Sequence, residues 1–282
     1  MTPFTRSRLV EMVEKGQVPL GIQCFTGDHA LIEVLGRTGF DWVMLDTEHC
    51  GQNPRAIEDA VRAADGVGLV PIVRIPEASD ATAVRRSLEA GAQGLIVPMV
   101  KSAADVDVVH GAAYFPPQGN RGICPAVRAG GYSFRSFPEY AAWNNENVLI
   151  IPLIEHPTAI ENIEEICAHP SVRMVTFGAG DLAYAMGEST QMLGSPRVQE
   201  AYRKVLSVAK SHGVSVIGGP VLTPTAEACA KALEDGIEVF CLGLDVMAFR
   251  SWCEDTVAAL DKAVASSAKS RPVAPASGFT GK

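Results

Sequence analysis

No apolar run in this sequence approaches the roughly 20 residues needed to cross a bilayer. The N-terminus MTPFTRSRLVEMVEKG also lacks the apolar stretch and small-residue cleavage site of a signal peptide. The expectation is a cytoplasmic protein with no membrane partner. Positive charge is in deficit: 24 Lys and Arg stand against 32 Asp and Glu, a formal net charge of −8. That excludes the concentrated basic surface a nucleic-acid backbone or an anionic membrane requires, although a local cation can still meet a small anionic substrate. Paired cysteines are missing too. The seven cysteines (Cys24, Cys50, Cys124, Cys167, Cys229, Cys241 and Cys253) are odd in number, scattered and never spaced as CxxC. Neither a disulfide framework nor a zinc knuckle is indicated, and each cysteine reads as a reduced, buried small hydrophobe. Nor does a glycine-rich phosphate turn follow the first apolar run, as an open dinucleotide-binding sheet would need.

What is present is a repeating alternation. With 282 residues, 47% of them hydrophobic, the chain can bury a large core. Short apolar runs recur at 19–24, 42–45, 70–73, 94–97, 148–154, 174–177, 214–217 and 239–242. Their nearly continuous apolarity is what parallel strands covered on both faces require. Helical patterns lie between them at 55–64, 79–90, 103–113, 158–168, 196–212 and 225–235, several closed by glycine (Gly91, Gly213, Gly236), and another helix is expected at 6–15. Eight such units predict an α/β fold, a (β/α)8 TIM barrel with an extra N-terminal helix, as one domain over 1–265 followed by a flexible tail at 266–282. The stretch from Tyr114 to Ser133 is too long for a simple connector and carries aromatics and arginines, so it reads as ordered and functional.

In such a barrel the chemistry lies where strands end at the C-terminal face. Strand two ends in Asp46-Thr-Glu-His49, strand three in Arg74, strand five in Glu155-His156, strand six in Gly178-Ala-Gly-Asp181 and strand eight in Asp245. Glu155 and Asp181 follow adjacent strands, and two carboxylates leaving other positions to water and substrate suit a hard divalent cation. The plainer alternative is that Asp181 merely caps the helix-like Leu182-Ala-Tyr-Ala-Met186. Arg74 ends an otherwise apolar strand, where a guanidinium needs either an acid or a polar mouth. It can form a salt bridge to a strand-end carboxylate, or hold the oxygen of a 2-oxo acid and its enolate. His49, beside Asp46, is read as a general acid–base group oriented by that carboxylate. Among the other histidines, His29 could reach the mouth and His156 could support Glu155, whereas His110, His169 and His212 read as surface or capping residues.

The segments Gly39-Phe-Asp-Trp-Val-Met-Leu-Asp-Thr-Glu-His49, Val73-Arg74, Gly91-Ala-Gln-Gly-Leu-Ile-Val-Pro-Met-Val100, Pro116-Pro-Gln-Gly-Asn-Arg-Gly122, Ile154-Glu155 and Gly178-Ala-Gly-Asp-Leu182 occur in one order. With them the sequence resembles the HpcH/HpaI family of metal-dependent 2-oxo acid aldolases, over about Val18 to Leu260. The resemblance implies that Glu155 and Asp181 bind a divalent cation (Mg2+, Mn2+ or Co2+) acting as a Lewis acid on the 2-oxo group. It implies that Arg74 contacts pyruvate or its enolate, that Asp46 and His49 form an acid–base dyad, and that the backbone amides of Gly180 and Asp181 cradle the substrate carboxylate. It further implies a homo-oligomer, a hexamer, in which the segment from Tyr114 to Arg128 closes a neighbouring site. Two departures stand out: Leu153 replaces the family's Gln two residues before the metal-binding glutamate, and Gly178-Ala-Gly-Asp181 replaces Gly-Pro-Ala-Asp. Three readings compete: a Schiff-base aldolase using Lys101, an acyl-CoA lyase on the same carboxylates, and a non-catalytic barrel.

Overall fold

The computed structural model describes residues 6–188, 190–191, 194–219 and 224–272. Eight parallel strands close into a barrel in sequence order: β1 (Leu20–Cys24), β2 (Trp42–Asp46), β3 (Val70–Arg74), β4 (Gly94–Val97), β5 (Leu149–Ile154), β6 (Met174–Phe177), β7 (Ser215–Gly218) and β8 (Val239–Leu244). The α/β barrel expected from the apolar runs is the observed fold.

Successive side chains on a strand point to opposite faces, and this sorts the core into two layers. Val43, Leu45, Val73, Leu95, Val97, Ile150, Ile154, Val175 and Val216 pack outward against the helices. Trp42, Met44, Ile72, Ile96, Leu149, Ile151, Leu153, Met174, Ile217 and Cys241 fill the interior. The inward series runs Trp42, Met44 and then Asp46 on β2; it runs Ile72 and then Arg74 on β3. On β5 the same phase is Leu149, Ile151, Leu153 and then Glu155 just past the strand, so period two alone brings three charged residues to one end. Leu9 and Val10 of α1 (Arg8–Glu14) belong to the same interior cluster and close the opposite end of the barrel.

The helices between strands are α2 (His29–Thr38), α3 (Pro54–Gly66), α4 (Ala81–Ala90), α5 (Ala103–Ala113), α6 (Phe137–Asn147), α7 (Pro157–Glu161), α8 (Ile163–Ala168), α9 (Ala179–Ala185), α10 (Pro196–Ser211) and α11 (Ala226–Asp235). Asp28, Asn53, Asp80 and Thr225 cap α2, α3, α4 and α11 through their side chains. Gly91 and Gly236 end α4 and α11 in the left-handed conformation. The single helix expected at 158–168 is broken at Asn162 into α7 and α8. The chain divides into two compact units, Met1–Asp245 and Val246–Lys282. The second contains most of α12 (Asp245–Ala265), a helix with no counterpart in the sequence reading. The expected tail at 266–282 lies partly outside the described residues.

Candidate active site

Asp46 is fully buried, and both its oxygens are engaged. Oδ1 accepts from Arg74 Nε at 2.6 Å and from the Glu48 amide at 3.2 Å. Oδ2 accepts from the His49 amide at 3.1 Å and the Cys50 thiol at 3.2 Å. Burial opposes ionisation of Asp46, but the hydrogen bond and charge of the Arg74 guanidinium, together with the hydrogen bonds from Cys50 and the His49 amide, outweigh this and hold the carboxyl below its usual range. Asp46 therefore folds the loop after β2 and anchors Arg74.

Arg74 makes a second ion pair, from Nη1 to Glu48 Oε2 at 3.1 Å, and its guanidinium lies 5.6 Å from the Phe25 ring centroid. Its Nη2 is buried and has no hydrogen-bond partner among the described residues. A buried donor left unmade costs about 1–3 kcal/mol, and Arg74 lines the mouth cavity. Arg74 thus keeps one guanidinium nitrogen that the described residues do not use.

Glu155 is 4% exposed and accepts from the Met99 amide at 2.7 Å through Oε1. Met99 holds a φ of 52°, which aims that amide after β4. Burial pushes the Glu155 carboxyl up to about 7, against the Met99 hydrogen bond, and the negative charges of Asp181 and Glu48 add to the rise. Gly178 makes room for it: a Cβ there would stand 2.6 Å from Glu155 Cβ and 2.8 Å from Oε2. Asp181 sits in the first turn of α9, whose N-cap position is Gly178, so Asp181 is not the cap that the plainer sequence reading allowed. The amides of Ala179, Gly180 and Asp181 are among the donors that a helix start leaves without intrahelical acceptors.

These groups share one cavity of about 750 Å³, lined among others by Arg74, Leu153, Glu155, Gly178, Gly180 and Asp181. The fit to a divalent cation is chemical: two carboxylates face the same space, one of them held partly protonated by burial and by its acidic neighbours. A divalent cation would relieve that repulsion, and the oxygens suit a hard metal.

Several sequence expectations land elsewhere. The His49 ring does not contact Asp46; its Nε2 lies 3.6 Å from Glu48 Oε2, and the side chain is 58% exposed. His156 caps α7, its Nδ1 accepting from the Thr158 amide at 3.2 Å, so it does not support Glu155. His29 is exposed at the start of α2. Lys101 is exposed and does not line the cavity, while its amide donates to Asp105 at the start of α5. Asp245 receives the amides of Phe25 and Thr26, both at 3.0 Å, and ties the end of β8 to the loop after β1. Sequence alone assigns no role to Met99 or Gly178, and takes Glu48 only as an acidic neighbour of His49. The inward-facing phase identifies Asp46, Arg74 and Glu155, but not loop residues beyond the strands.

The fold is a (β/α)8 barrel that gathers these acids and Arg74 at the C-terminal ends of its strands. Residues 24–251 match the HpcH/HpaI aldolase/citrate lyase family, and the chain belongs to that family. It is a carbon–carbon lyase of the aldolase type. It is 32% identical over 238 residues to a 5-keto-4-deoxy-D-glucarate aldolase of Klebsiella pneumoniae, covering 83% of this chain and 89% of that protein. An HpcH/HpaI aldolase structure from Desulfitobacterium hafniense shares 28% identity at a TM-score of 0.82, covering 90% of this chain and 96% of that one. The citrate lyase beta subunit from M. tuberculosis, complexed with oxaloacetate and magnesium, shares the fold at 18% identity and a TM-score of 0.54, covering 80% of this chain and 91% of that one.

Proposed function

We propose that the protein is a divalent-metal-dependent aldolase that reversibly cleaves a 4-hydroxy-2-oxo acid to pyruvate, or a related 2-oxo acid, and an aldehyde. The observation that carries this reading is the buried Nη2 of Arg74, without a hydrogen-bond partner among the described residues, on a side chain that lines one cavity with Glu155 and Asp181. The 32% identity to an aldolase acting on a deoxy-keto sugar acid supports a substrate of that class.

Glu155 and Asp181 would hold the cation, which supplies Lewis acidity toward the 2-oxo group when bound. The chain's own residues do the rest. The amides of Gly180 and Asp181 receive the substrate carboxylate. His49 takes the proton of the C4 hydroxyl, the C3–C4 bond breaks to release the aldehyde, and the bond's electron pair passes into the enolate, which becomes pyruvate when C3 takes a proton from solvent. Arg74 Nη2 donates to the enolate oxygen as charge develops there. Asp46 acts through Arg74 and the loop, not on the substrate.

The segment from Tyr114 to Arg128 supports a homo-oligomer, with the hexamer as the specific form. Arg128 donates to the Ala90 carbonyl at 2.8 Å and pairs with Asp65, so the segment is tied to the C-terminal ends of α4 and α3, away from this chain's own mouth. Exposed Ile123 and Phe134 are available to a neighbouring copy. The reading includes a cytoplasmic location; no described helix is long and apolar enough to cross a membrane.

The test is activity with pyruvate and a panel of aldehydes, on the wild type and Arg74→Ala. Arg74→Ala is expected to lose aldol cleavage and oxaloacetate decarboxylation alike, each by about 10²-fold or more, as for removal of one oxyanion donor. Unchanged rates in Arg74→Ala contradict the reading.

A further inference from the structure

Gln23 occupies a place that no role above accounts for. On β1 the outward side chains are Ile22 and Cys24, which pack in the layer beneath the helices. Gly21 and Gln23 therefore face the barrel interior, and Gly21 does lie against the inward Trp42 ring. Gln23 pairs in register with Met44, one inward step below Asp46, and lines the mouth cavity with Arg74, Glu155 and Asp181. The wall around it is apolar at this depth: Trp42, Met44, Ile96, Leu153 and Ile217 line the same cavity. Thr176, also on the wall, donates its hydroxyl to the Ile217 carbonyl at 3.2 Å. Among the described residues, the hydrogen-bonding partner of the Gln23 side chain is the Cys241 thiol. Burial pushes that thiol up to about 12, so it stays S–H, a weak hydrogen-bonding group. A carboxamide offers two donor hydrogens and an acceptor oxygen, and a polar group set in an apolar wall is unfavourable until it finds partners.

We propose that Gln23 is a specificity-determining residue whose amide selects a 2-oxo acid nucleophile carrying a hydroxyl on C3, such as hydroxypyruvate. The inference rests on the aldolase reading and deepens it by naming the nucleophile. The carboxylates assigned to the cation follow β5 and β6, and β1 lies four strands from β5 in the closed barrel, on the opposite wall. A 2-oxo acid with its carboxylate on the Gly180 and Asp181 amides therefore directs C3 across the cavity, toward β1 and β2. The aldehyde carbon meets C3 from the open mouth, on the side of His49 in the loop after β2. The substituent on C3 is then turned down to the floor, where Gln23 lies about 6–7 Å below Asp46 along the strands. A hydroxyl there can donate to Gln23 Oε1 or accept from Nε2, whereas a methyl would leave the amide against carbon. In the addition direction C3 loses one proton, the C3–C4 bond forms and the aldehyde oxygen gains a proton, so the product is a 3,4-dihydroxy-2-oxo acid.

The experiment compares hydroxypyruvate with 2-oxobutanoate, two monoanions of similar size that differ in a hydroxyl against a methyl on C3. On the metal-supplemented enzyme, kcat/KM is measured for addition of each to glycolaldehyde and, without aldehyde, for exchange of its C3 protons with solvent. The proteins are the wild type, Gln23→Met and Gln23→Leu, with thermal unfolding as the check on folding. Both variants keep an apolar side chain of similar bulk and remove the amide. The quantity read is the ratio of the two nucleophiles within one protein, so a general loss of activity cancels. That ratio should fall by about tenfold in both variants, as for one lost hydrogen bond, with the KM for hydroxypyruvate rising and that for 2-oxobutanoate falling. An unchanged ratio in a folded variant overturns the inference. The wild type decides independently of how the variants fold: its exchange ratio, divided by that of the uncatalysed exchange, should favour hydroxypyruvate, and a value favouring 2-oxobutanoate overturns the inference. Exchange of pyruvate protons without these preferences defeats this inference alone, whereas a wild type inactive with all three acids defeats the aldolase reading itself.

Discussion

Glu155 joins burial and acidity in one side chain, and its pH behaviour follows from its surroundings. In the unfolded chain it ionises near 4.5, whereas in the folded, metal-free chain its carboxyl is raised to about 7, mainly by burial. Between these values the folded chain holds a proton that the unfolded chain has released, so the stability this group contributes falls as pH rises. Above about 7 the fold carries the full cost of the buried charge. Glu155→Gln should therefore stabilise the chelator-treated protein by about 1–3 kcal/mol near pH 8, with the gain gone below about pH 4.5. Thermal denaturation at the two pH values checks this; a gain at low pH only would contradict it. The residue scale also shows where sequence reading stops. Asp46, Arg74 and Glu155 were legible because each continues an inward-facing strand series past its last apolar member. Which carboxylate His49 meets was not, because the ring's direction is set by the loop from Thr47 to Cys50, whose amides turn in on Asp46.

At the scale of elements, the eight strands were legible because both faces of each are buried, leaving apolar runs with no other explanation. The break at Asn162 and the helices α2, α6 and α12 were not. In α6 the apolar residues are sparse among Asn and Glu, and the pattern gives no clear stripe. The turns after β4 and β6 are built for Glu155, and each supports a test. Gly178→Ala would drive a Cβ to 2.6 Å from Glu155 Cβ, so it should weaken divalent-cation binding by about tenfold or more, as supporting residues around a metal do. Met99 holds a φ of 52°, where glycine is unstrained and a β-branched residue is not. Met99→Gly should retain cation affinity while Met99→Ile weakens it. Calorimetric titration of Mn2+ into chelator-stripped variants reads both, and equal affinities in Met99→Gly and Met99→Ile would refute the role given to this turn.

At the scale of the whole molecule, the barrel depends on its seam between β1 and β8. The register shifts there between Gly21 and Gln23, Trp42 Nε1 donates to the Phe240 carbonyl at 3.1 Å, and Asp245 fastens the top of β8 to the loop after β1. Gly21 lies against the Trp42 ring, where an added Cβ would stand 2.1 Å from Cε2. Gly21→Ala should destabilise the protein by about 1–3 kcal/mol or more through overpacking, measured by denaturant unfolding; a stability within about 0.5 kcal/mol of wild type would show that the seam yields. The proposed cation site at the mouth carboxylates is tested by the rate of 4-hydroxy-2-oxo acid cleavage with EDTA and after adding back Mg2+, Mn2+ or Co2+. Activity should be lost with the chelator and return with the metal, with no return in Glu155→Ala or Asp181→Ala. Full activity in EDTA, together with inactivation by borohydride and pyruvate at Lys101, would contradict it.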